Sequence, residues 1–238
     1  MKKSLGERLL PGFHHLRHAM PSLSIQAGLA LGLALFLTGC ASQKTDPTQN
    51  APTTQVTIIN LRAVDLQAGG IAFITPSSVT GQEEDRQALA LGFTEVLRQT
   101  RPDLRVVSLP QTLSEINHQG LTQAYTQMYK DYHSAGIFDR ETLQKVGKAT
   151  GARYLAQLKL AAFRQESRDR WGLLGVRMME TKSSTIRLFL QIWDTQDGSV
   201  VWEGAQESRV SQDSMAEEYI SMKRIVEESA RHLVAHIP

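Results

Sequence analysis

Cys40 is the only thiol in the 238-residue chain, so any soft-nucleophile chemistry belongs to that position. A single cysteine forms no internal disulfide, and a thiolate metal cluster is excluded. Leu37, Thr38 and Gly39 precede it. Thr38 and Gly39 are small, so the backbone before Cys40 is unhindered. Other chemistry-bearing residues are sparse. His232 and His236 are four apart and would share a helix face, but no third ligand is identifiable and they read as a solvated pair. Glu83, Glu84 and Asp85 are carboxylates that could do acid–base work, and they are more simply explained by the favourable field at a helix start. Gly147-Lys-Ala-Thr-Gly151 has phosphate-loop residue types at the wrong spacing and reads better as a helix end. G-x-S-x-G, H-E-x-x-H, S-x-x-K and G-x-x-x-x-G-K-[ST] are all absent from the chain. The expectation is a non-enzyme with no cofactor and no metal site.

Leu37-Thr-Gly-Cys40 resembles the bacterial lipobox. It closes an apolar run from Ala27 to Leu37, short of the ~20 residues a spanning helix needs and suited to a signal h-region. The resemblance implies diacylglyceryl attachment to the Cys40 sulfur, cleavage between Gly39 and Cys40, and acylation (palmitate or a similar chain) of the new amino group. Each buried methylene contributes roughly 0.8 kcal/mol, so several acyl chains hold far more firmly than one. Residues 1–39 are then a lipoprotein signal peptide. Ala41, rather than Asp, follows the cysteine, which by the same resemblance sends the anchor to the periplasmic face of the outer membrane; retention at the inner membrane is the alternative.

The formal charge of +2 belongs to that leader. Without Lys2, Lys3, Arg8, Arg17 and Glu7 the chain keeps 22 basic and 23 acidic residues, which removes the case for nucleic-acid binding. An apolar content of 41% and a charged content of 21% mark the remainder as globular and exclude collagen-like, mucin-like and coiled-coil chains.

The elements that must position any site follow from Cys40 onward. Residues 40–55 are the lipidated cysteine and a flexible tether without large apolar residues, and residues 56–238 are one α/β domain. Within it, Val56 to Leu66 is an extra strand or an edge segment and Gly70 to Pro76 a short buried strand. A helix runs from Glu83 to Arg101. Leu104 to Leu109 is a strand, and Pro110 opens a short helix. Further helices cover Leu121 to His133 and Asp139 to Thr150, the latter capped by Asp139 and closed by Gly151. Tyr154 to Phe163 and Thr185 to Asp194 alternate as strands, and Asp197-Gly198 turns into Val200 to Trp202. A last helix spans Ser214 to Ile237. The order strand, helix, strand, helices, strand, strand, strand, helix gives a single mixed β-sheet with helices packed on it. Trp193 and Trp202 flank the last hairpin and read as packing residues rather than a sugar platform.

Four phrases carry a second resemblance: Ile71-Ala-Phe-Ile-Thr-Pro-Ser77, Leu104-Arg-Val-Val-Ser-Leu109, Val146 to Leu155, and Leu190 to Trp202. Together they resemble the family that includes the TolB amino-terminal domain, the curli secretion channel lipoprotein CsgG and the lipoprotein activators of penicillin-binding proteins. The resemblance implies a periplasmic domain that binds envelope proteins or copies of itself. Two departures stand out: extra helix at Leu121 to Ala135, and a long connection from Arg164 to Thr181. That connection holds Arg168, Arg170, Trp171, Leu173, Leu174, Arg177, Met178 and Met179, residue types enriched at interfaces. Two readings of it stand side by side, a partner surface or a loop that folds back over the sheet edge. A membrane-barrel strand would need ~9 to 11 alternating residues, and the sequence suggests no such pair here.

The functional expectation is a membrane-anchored, non-enzymatic adaptor, assembly or activator subunit of an envelope complex. The alternative is an envelope enzyme or a glycan- or small-ligand-binding lipoprotein acting on peptidoglycan.

Overall fold

The computed structural model describes residues 52–173, 176–214 and 220–238. The expected signal peptide, residues 1–39, together with Cys40 and residues 41–51, lies outside the described residues.

The chain enters through strand β1 (Thr53–Ile58), so the last residues of the expected tether, Thr53 to Gln55, are already sheet. Helix α1 (Ala63–Gly69) follows, which takes Ala63 to Leu66 out of the expected edge segment. Then come β2 (Ile71–Phe73), β3 (Ser77–Ser78), α2 (Glu83–Thr100), β4 (Val106–Val107), α3 (Leu109–His118), α4 (Thr122–Ala135) and α5 (Arg140–Thr150). The chain ends with β5 (Tyr154–Leu173), β6 (Val176–Asp194), β7 (Val200–Ser214) and α6 (Met222–Val234). Among the described residues seven strands form one mixed sheet in the order β1-β7-β6-β5-β2-β4, with β3 beside β5. β2 is parallel to β4 and β5, whereas β5, β6, β7 and β1 run antiparallel in turn. The α/β fold class expected from the sequence is the one observed.

Period-two alternation decides which residues meet which layer. Leu158 and Leu160 of β5, with Ile186, Leu188, Leu190 and Ile192 of β6, point into a core closed by α2 and α6. There Phe93 packs on Phe73 with ring centroids 6.1 Å apart, and a Cβ added to Gly92 would lie 3.0 Å from Val226 Cγ1, so the glycine permits the two helices to approach. The opposite face holds a smaller core of Leu155, Trp193, Tyr125, Met128, Phe138, Leu143 and Val146 under α3, α4 and α5. Trp193 and Trp202 are buried on opposite sides of the sheet.

Local signals place the second-face helices. Ser108 and Gln111 form a capping box at α3, Asp139 accepts the Thr142 N–H at 2.7 Å, and Gly136 and Gly151 end α4 and α5 in the left-handed region.

Three expectations need correction. The connection from Arg164 to Thr181 is not a loop: β5 and β6 are 20 and 19 residues long and pair from Tyr154↔Asp194 out to Leu173↔Val176. A pair of strands long enough for the alternation test is therefore present. Backbone pairing fixes them, while Arg-Gln-Glu-Ser-Arg-Asp-Arg shows none of the period-two apolar pattern by which a strand is read. Second, β7 continues to Ser214, pairing with β6 as far as Glu180, and the last helix starts only at Met222, with Ser221 as its N-cap; Tyr219 lies outside the described residues. Third, β4 is confined to Val106–Val107, since Ser108 already caps α3.

Candidate functional site

The helices of the second face stop short of its far half. Beyond α4 the sheet presents cross-strand rows that β5, β6, β7 and β1 build together. Gln157, Gln191 and Glu203 form one row, Lys159, Phe189, Ala205 and Gln55 the next, and Ala162, Arg187, Glu207 and Thr53 a third. Gln191 Nε2 donates to Glu203 Oε2 at 2.6 Å, and Arg187 Nε donates to Glu207 Oε2 at 2.9 Å. Phe189 is the aromatic residue of these rows and is partly exposed. It lines a depression of about 220 Å³ with Tyr132, Gln157, Lys159, Gln191 and Glu203, and one of about 350 Å³ on its other side toward Gln55 and Arg187.

A tyrosine ladder on α4 borders this face. Tyr125 and Tyr129 both meet Thr75: Tyr125 Oη accepts the Thr75 N–H at 2.9 Å, and Tyr129 donates to the Thr75 carbonyl at 2.7 Å. Tyr132 donates to Gln191 Oε1 at 3.3 Å. Burial pushes all three phenols above their ordinary pKa, Tyr129 furthest, and the Glu203 charge adds to the shift at Tyr132. They stay protonated at neutral pH and act as fixed hydrogen-bonding groups. Such a face offers amide, carboxylate, ammonium and aromatic contacts for recognition.

Past Phe163 the sheet continues as a three-stranded arm of β5, β6 and β7. It contains the backbone of Arg168, Arg170, Trp171 and Leu173 on β5 and of Arg177, Met178 and Met179 on β6, with Trp171 opposite Met179 and Gly172 opposite Arg177. The hairpin pairing brings these residues to one end of the molecule; Leu174 lies outside the described residues.

The remaining sequence candidates are dispersed. Glu83, Glu84 and Asp85 occupy the first turn of α2, where Glu83 pairs with Arg86 and Asp85 accepts the Thr80 hydroxyl at 2.5 Å. His236 Nδ1 sits 2.8 Å from the His232 carbonyl, and His232 Nε2 is 3.7 Å from Glu228, so the two rings face different neighbours. Gly147 lies under Thr195, whose Cβ would be 2.7 Å from an added Cβ, and Gly151 closes α5. Among the described residues no group of three His, Cys, Asp or Glu is placed to hold a metal, and no helix is long and apolar enough to cross a membrane.

Sequence reading missed the open face. Its signal was present in the other half of the β6 alternation, where Arg187 and Gln191 flank Phe189, which the continuous apolar half overshadowed.

No protein-family model and no curated protein sequence matches the chain. Among solved structures, it is similar to the PelC dodecamer protein from Paraburkholderia phytofirmans, at 11% identity over 78% of this chain and 96% of that one, with a TM-score of 0.44. It is also similar to the lipoprotein GNA1162 from Neisseria meningitidis, at 12% identity over 70% and 99%, TM-score 0.42. A third is the LpoB C-terminal domain from Salmonella enterica, at 14% identity over 60% and 84%, TM-score 0.32. At these scores nothing about activity or partners carries over to this chain.

Proposed function

We propose that this protein is a lipid-anchored periplasmic adaptor of the cell envelope, held through acylated Cys40 and acting without catalysis to recruit, activate or assemble envelope proteins, copies of itself included. The lipobox resemblance of Leu37 to Cys40 supports the anchor, and the Ala41 that follows favours the outer membrane. The family of TolB-like, curli-channel and penicillin-binding-protein-activator domains remains the reading that the four sequence phrases support.

The observation that carries the adaptor role is the arm. Three strands continue past Phe163, and β5 and β6 bring together the backbone of Arg168, Arg170, Trp171, Leu173, Arg177, Met178 and Met179, with Leu174 in the sequence between them; these are residue types that dominate binding energy at interfaces. The test is deletion of residues 165–180. Arg164 is opposite Thr185, so joining it to Thr181 leaves a short turn and keeps every apolar residue of the two cores. The expected outcome is an unchanged unfolding transition with loss of partner recovery in crosslinking followed by mass spectrometry. Equal capture by the intact and shortened chains, or no envelope protein captured by either, removes the proposal.

A further inference from the structure

We infer that two copies of this chain pair edge to edge through β1. Thr53–Ile58 ends its side of the sheet: β7 occupies its inner edge, and among the described residues no strand pairs with its outer edge. Sheets normally guard such an edge with charges, proline or a bulge. β1 has none of these. Thr-Thr-Gln-Val-Thr-Ile is neutral, free of proline and in unbroken register with β7, and every residue but Gln55 is β-branched. The same sheet shows the contrast. Past β3 the outer edge of β5 carries Arg164, Glu166, Arg168, Asp169 and Arg170 in its sequence and is interrupted by a bulge between Leu160 and Ala162. One edge is guarded and the other is built to pair. Ile58 and Ile59, at the end of β1, remain 56% and 58% exposed.

The strand fits a second copy of itself. Ile59 donates its N–H to the Val201 carbonyl at 3.1 Å, so by the alternation of an antiparallel ladder Thr53, Gln55 and Thr57 bond inward and Thr54, Val56 and Ile58 present their N–H and C=O groups outward. A two-fold axis perpendicular to the sheet and through Val56 then sets Val56 opposite itself and Thr54 opposite Ile58 of the second copy. No like charges meet, and each half-exposed Ile58 gains a cross-strand neighbour. The contact uses the same edge of both copies, so it closes at two.

The inference deepens the self-association in the adaptor reading and rests on that reading in one respect, the common membrane. The axis separates the two strand starts by about 20 Å, and residues 41–52 can each extend about 40 Å, so both chains reach one bilayer.

The test uses the full chain in mild detergent with single cysteines added, compared with the wild type, which has Cys40 alone. Residues directly opposite in a hydrogen-bonded pair have Cα atoms about 5.5 Å apart, within disulfide range. Val56→Cys is expected to give an oxidised covalent dimer. Thr54→Cys and Ile58→Cys are each expected to stay monomeric on oxidation, because their own counterparts lie roughly 13 Å away, while a mixture of the two cross-links. Val56→Pro removes an outward N–H, leaves the inward bonds of Thr53, Gln55 and Thr57 in place and puts an apolar ring where the half-buried Val56 side chain packs on the core; it is expected to yield a monomer with unchanged circular dichroism. Monomeric mass for the wild type together with no Val56→Cys cross-link overturns the inference, as does equal cross-linking at all three positions. Acyl labelling is read in parallel: an unlabelled chain that still cross-links at residue 56 loses the anchor and keeps the pairing.

Discussion

The Tyr125 hydroxyl oxygen lies 2.9 Å from the backbone nitrogen of Thr75 and 3.0 Å from its hydroxyl. A side chain of α4 thus completes the hydrogen bonding of the chain just beyond the end of β2, where no strand neighbour reaches it. Tyr125→Phe keeps the ring in the second-face core and leaves the Thr75 N–H without its partner. The expected loss is about 1–3 kcal/mol, read as a lower urea midpoint with an unchanged slope. A change below about 0.5 kcal/mol would mean that solvent replaces the phenol.

Gly204 gives the second prediction. It lies beneath Trp202, and a Cβ there would come within 2.8 Å of Leu233 Cδ2 while meeting the indole ring itself. Gly204→Ala therefore forces β7 and α6 apart, at an expected cost of about 1–3 kcal/mol. Chemical denaturation measures the loss, and the fluorescence of buried Trp202 should shift to the red if the ring moves toward solvent.

The cap of α5 carries a pH dependence with a definite sign. Asp139 accepts the N–H and the hydroxyl of Thr142 at 2.7 and 2.8 Å, which hold its carboxyl below the usual range. A carboxyl depressed in the folded state contributes stability that is complete above its unfolded pKa of about 3.9 and is lost as pH falls through the folded value. Asp139→Asn retains the cap but not the titration. Its stability difference from the wild type should therefore change between pH 6 and pH 2, with the wild type losing ground on acidification. Asp139→Ala should cost about 1 kcal/mol at neutral pH. Parallel pH curves for wild type and Asp139→Asn would contradict the assignment.

The anchor has its own test. Cys40→Ala is expected to stop incorporation of labelled fatty acid and to leave the leader attached, so that the chain keeps its full mass. A mature mass lower than that, or acyl label in the variant, refutes lipidation at Cys40.

Much of the fold was legible because it rests on short-range rules. Acids at the start of α2, Asp139 before α5, Gly151 after α5, and the alternation of Ile186 to Ile192 each act within a few residues, and each is where the sequence places it. The open face and the arm follow from contacts between distant residues. Arg187 finds Glu207 and Gln191 finds Glu203 only once β6 and β7 are in register, and no local pattern reveals which neighbour a polar residue will face.

By itself, then, the sequence determined the lone thiol at Cys40, the basic charge ahead of it, the mixed α/β class and most helix boundaries, all of them consequences of composition, periodicity and capping. Only the tertiary structure decided that Arg164 to Leu173 and Val176 to Thr181 are strand, that β7 runs on to Ser214, and that among the described residues no strand pairs with the outer edge of Thr53–Ile58. The physical reason is the same in each case. Strand hydrogen bonds are made to another part of the chain, so a charged or irregular sequence becomes sheet when a partner strand is already in place beside it.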